Sequence, residues 1–93
     1  MFIDFQEGFS GEQLEIRSAD HVLARLQPRT RLQTGWAHRA EIAADPGQEL
    51  VIALPDAGLE THFAAPADGT YILVNRDEHA LRINQTEDEP GYL

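Results

Sequence analysis

Four histidines, His21, His38, His62 and His79, are the side chains best suited to proton transfer or metal ligation, because imidazole titrates near neutrality and offers nitrogen to transition metals. No two of them form a His-x-His pair, and they fall on four different predicted strands or turns, so a shared site would need tertiary convergence. Cysteine is absent, which removes thiolate nucleophiles, thiolate metal sites and disulfides together. Ser10 and Ser18 are the only serines, and Gly8-Phe9-Ser10-Gly11-Glu12 lacks the Gly-x-Ser-x-Gly spacing that exposes a nucleophile on a strand-to-helix turn. The 16 Asp and Glu residues could bring two carboxylates to a glycosidase separation by chance, and no pair stands out. No catalytic residue, cofactor or metal site is assigned. A small metal-dependent or carboxylate enzyme using one of the four histidines is an alternative reading.

Weaker signals read as structure. Asp56-Ala57-Gly58-Leu59-Glu60 and Asp68-Gly69 carry oxygen donors in turns, but without the alternation an EF-hand loop requires. Asn84-Gln85-Thr86 matches a glycosylation acceptor in a chain that shows no secretory leader. Trp36, Tyr71 and Tyr92 could stack on a sugar, yet Tyr71 lies in a strand expected to be central.

Two features stand apart from average composition. Between Arg17 and Arg39 lie five arginines, Arg17, Arg25, Arg29, Arg31 and Arg39, against Asp20 alone, in a chain whose formal net charge is −9. Arg25, Arg29 and Arg31 bracket Pro28 and could present guanidinium forks to carboxylate or phosphate. The second feature is an acidic C-terminal tail, 86–93, that ends in Tyr92 and Leu93, two apolar residues suited to docking on a protein surface. Candidate binding residues are therefore Arg25, Arg29, Arg31, Arg39, Trp36, Tyr92 and Leu93. Their alternative role is to balance the chain's own acidic excess.

The elements that must position these residues are strands. Alternation of polar and apolar residues, broken by Gly, Pro, Asp and Ser, predicts strands near 2–6, 13–17, 21–26, 36–42, 49–54, 59–63, 70–75 and 80–84. The turns predict a hairpin of 13–17 with 21–26 and a second of 36–42 with 49–54 across Asp45-Pro46-Gly47-Gln48. No segment combines helical periodicity with a capping signal over about 10 residues. The expected fold is all-β: one small antiparallel sandwich over 1–93, with a strand number that suits immunoglobulin-like or transthyretin-like arrangements. Its expected core is Leu14, Ile16, Val22, Leu26, Trp36, Ile42, Leu50, Ile52, Phe63, Ile72, Val74, Leu81 and Ile83.

At 93 residues and 42% hydrophobic, the chain can bury one core and has no run of about 18 apolar residues. Met1-Phe2-Ile3-Asp4-Phe5 has neither a basic leader nor a long apolar stretch, which makes the cytoplasm the default expectation. The acidic balance disfavours nucleic acid and anionic membranes as partners. The favoured function is a non-enzymatic interaction or structural module that engages a protein partner or a second copy of itself as a homodimer. An anionic-ligand-binding domain using the Arg25/Arg29/Arg31 stretch is a further alternative.

Overall fold

The computed structural model describes residues 1–19 and 21–91. It is the all-β, two-sheet sandwich expected from the sequence. Eight strands follow one another: β1 (Phe2–Phe5), β2 (Leu14–Ser18), β3 (His21–Leu26), β4 (His38–Glu41), β5 (Glu49–Leu54), β6 (Leu59–Ala64), β7 (Tyr71–Arg76) and β8 (Leu81–Thr86). One sheet has the order β4-β1-β7-β8 and the other β3-β2-β5-β6. Pairing is antiparallel except between β1 and β7, which run parallel with Ile3 opposite Ile72 and Phe5 opposite Val74. A single turn of 3-10 helix, Pro55–Ala57, closes β5 onto β6. Among the described residues, no helix is long and apolar enough to cross a membrane.

The core lies between the sheets and is built by the inward half of each alternating pattern. Ile3, Phe5, Ile72 and Val74 from one sheet meet Leu14, Ile16, Ile52 and Leu54 from the other. The ring of Phe9 packs edge-on against Phe5, with ring centroids 5.6 Å apart. Ile3, Phe5, Phe9 and Leu54 were not among the expected core residues. β1 is short and flanked on both sides by strands, so the apolar residues that alternate along it are wholly enclosed.

Three expectations change. The first hairpin forms, but a bulge separates its halves: Ala24 lies opposite Ile16 and Val22 opposite Arg17, leaving Leu23 as the extra residue. Past the bulge the faces exchange, so Val22 leaves the core and is 38% exposed. The second hairpin does not form. Asp45-Pro46-Gly47 does turn, but Gly47 and Gln48 bond across to Ala65, beside the end of β6, while β4 bonds to β1 in the opposite sheet. Trp36 lies before β4 and is half-buried, as are Leu26, Phe63 and Ile83, because edge strands and strand ends are covered on one side only.

Candidate binding cleft

The chain between β3 and β4 is irregular, yet it is pinned. Phe9 N–H donates to the Thr30 Oγ1 (3.0 Å), Thr30 N–H donates to the Phe9 carbonyl (2.8 Å), and Thr30 Oγ1 donates to the Gln6 carbonyl (2.5 Å). Beyond this anchor Arg31 bridges to Trp36, and the Arg31 carbonyl accepts from Gly35 N–H at 2.8 Å to close the tip. Gly35 has φ +70°, a left-handed conformation that a Cβ would strain. Ala37 N–H then donates to the Phe5 carbonyl, and β4 begins along β1. This path places Arg31 across from Trp36, and Arg39 on the strand that follows. The three residues line one open cleft of about 370 Å³ with Thr34, Glu89 and Pro90.

The floor beside the cleft is the outer face of the β4-β1-β7-β8 sheet. Because Ile3 and Phe5 point into the core, Phe2 and Asp4 point outward, opposite Tyr71 and Leu73 on β7 and Glu41 and Arg39 on β4. The rings of Phe2 and Tyr71 stack at 5.7 Å and 14°. The Arg39 guanidinium carbon stands 5.6 Å and 5.4 Å from those two centroids, within the range of cation–π attraction. Arg39 grips the fully buried Asp4 with both prongs of its fork, Nε to Oδ1 at 2.6 Å and Nη2 to Oδ2 at 3.0 Å. Its remaining nitrogen, Nη1, donates to Glu89 Oε1 at 2.9 Å. Asp4 first, and then Glu89, raises the affinity of Arg39 for its proton, so Arg39 stays charged against the two carboxylates it holds.

The arginine-rich stretch divides. Arg17 and Arg25 both donate to Glu15 on the other sheet and hold its carboxyl below the usual range. Arg25 lies away from the cleft, at a hollow with Gln13, Leu26 and Gln27. Arg29 borders a separate hollow with Phe9, Thr30 and the fully exposed Leu32. Among the described residues, Arg29 and Arg31 are the arginines that make no ion pair, whereas Arg76 and Arg82 pair with Glu12 and Asp77. Tyr92 and Leu93, singled out in the sequence, lie outside the described residues, but Glu89 and Pro90 just before them form one wall of the cleft.

The histidines are dispersed over β3, β4, β6 and the β7–β8 turn, and among the described residues no three His, Asp or Glu side chains are arranged to hold a metal. His62 lies between two carboxylates, with Nδ1 3.0 Å from Glu49 and Nε2 3.0 Å from Glu60. Asp4, Phe2 and Glu89 were not read from the sequence as site residues. For Asp4 a signal existed: an acid inside Phe2-Ile3-Asp4-Phe5 must be partnered if the strand is enclosed. Compared with family models, with curated proteins and with solved structures, the chain shows no match.

Proposed function

We propose that this chain is a protein-interaction module that takes an acidic segment of a partner protein in the Arg31–Trp36–Arg39 cleft, without chemical change to either. The observation that carries this reading is the convergence of Arg31, Trp36 and Arg39 on one open cleft, where Arg39 already donates to the carboxylate of Glu89. An arginine fork beside an aromatic plane is the combination enriched where protein surfaces bind one another. A formal charge of −9 repels polyanions at long range, while the attraction of the cleft acts within a Debye length of about 8 Å. That combination suits a short acidic segment better than nucleic acid. A second copy of this chain is one source of such a segment, because Glu87-Asp88-Glu89 has the required charge.

Trp36 is the single tryptophan, so its emission reports the cleft directly. Titration with a peptide rich in glutamate should give a saturable change that disappears in 0.5 M salt and weakens in Arg31→Ala. A flat titration at low salt overturns the reading.

A further inference from the structure

Arg31 and Arg39 line the same cleft but are in different states. Arg39 has each of its three nitrogens engaged, two on Asp4 and the third on Glu89. Arg31 is exposed and makes no ion pair among the described residues, in a chain with 16 carboxylates to offer. Among the described residues, the segment after β8 thus supplies one carboxylate, that of Glu89, to a cleft with two guanidinium groups. We infer, on the reading of the cleft as a protein-binding site, that this segment is a resident occupant, and that the external ligand which displaces it is a partner segment with two acidic side chains, one for each arginine.

The competition follows from geometry and tethering. Glu89 is held to the cleft by the chain itself, so it acts at an effective concentration in the millimolar range and excludes weak single-carboxylate competitors. Its hold is limited, because its side chain is 65% exposed and an exposed ion pair shifts an equilibrium by a factor of about five at most. A segment that replaces Glu89 at Arg39 and also reaches Arg31 gains a contact that Glu89, already on Arg39, does not make. Trp36, between the two arginines in sequence and lining the same cleft, offers the intervening residue a flat apolar surface. Pro90 lines the same cleft.

The test uses the full chain and two peptides that differ only in carrying one glutamate or two separated by a single residue, followed by Trp36 emission. Wild type should bind the two-glutamate peptide more tightly, by up to about fivefold. Glu89→Ala should improve binding of the one-glutamate peptide up to about fivefold, and Arg31→Ala should abolish the preference for two. Both substituted side chains are exposed, and thermal melting checks that each variant folds. If Glu89→Ala improves neither peptide, or wild type binds both equally, the resident-occupant inference is overturned while the cleft reading stands. If neither peptide binds wild type or Glu89→Ala, the cleft reading itself is overturned. Inorganic phosphate or a nucleotide that reproduces the two-glutamate response would replace the partner segment by a small anion and overturn the commitment to protein.

Discussion

At the scale of single residues, Asp4 and Arg39 form the pair on which the cleft stands. Asp4 is fully buried and Arg39 is 27% exposed, so the two halves are not equivalent. Removing Arg39 takes both guanidinium bonds from a carboxylate buried away from water, and Arg39→Ala should cost about 3 kcal/mol in urea unfolding. Removing Asp4 leaves a guanidinium that still reaches solvent and Glu89, so Asp4→Ala should cost clearly less; equal losses would show that the desolvation argument is wrong. His62 provides a pH signature. Its hydrogen bonds to Glu49 first, and then to Glu60, raise its proton affinity above the ordinary histidine value. A raised folded-state value means that the stabilisation is fully present below the unfolded value of about 6.5 and fades as pH rises through the folded one. His62→Gln should therefore lower the melting midpoint at pH 5.5 and leave it nearly unchanged at pH 8.5, and an NMR titration should place His62 above the ordinary value.

At the scale of elements, β3 shows how one inserted residue redirects a strand. Ile16 on the neighbouring β2 faces the core and is fully buried, whereas Val22 stands opposite Arg17 on the outer side because Leu23 bulges. Ile16→Ala should cost about 2–4 kcal/mol as a buried cavity forms, and Val22→Ser should change stability by less than about 0.5 kcal/mol. A large loss from Val22→Ser would place Val22 in the core and contradict the bulge. Bulging also twists the free edge of β3, one of the devices by which sheets avoid unwanted pairing. The β1–β2 connection is equally constrained: at Gly8, φ is +90° and a Cβ would lie 2.0 Å from the Arg76 carbonyl oxygen, so only glycine lets β1 turn so close to the end of β7.

At the scale of the whole molecule, charge is the dominant irregularity. Arg17, Arg25, Arg39, Arg76 and Arg82 are already paired with carboxylates, so the uncompensated acids lie elsewhere and repel one another. The exposed pairs contribute little each, so screening should remove more repulsion than attraction. The melting midpoint should rise between 20 mM and 0.5 M sodium chloride, and a fall would mean that the ion pairs outweigh the net charge. The same salt should weaken capture of an acidic segment, so stability and binding are expected to move in opposite directions.

What the sequence determined by itself was local. Strand positions follow from period-two alternation between turn residues, a rule that acts over a few neighbours, and the boundaries of β3 and β5 match the sequence ranges residue for residue. The absence of long helices and the concentration of arginine before β4 were legible for the same reason. Which strands pair was decided only by the tertiary structure. The turn at Asp45-Pro46-Gly47 has the chemistry to reverse the chain but does not choose the sheet, and the hydrogen bonds of β4 went to β1. That choice set Arg39 over Asp4, Phe2 and Tyr71, residues 32 to 37 positions away from it, and separated Arg25 from Arg31 although only five residues lie between them. A cleft made of side chains distant in the chain depends on register and sheet assignment, which arise from long-range packing and have no local signature in the chain.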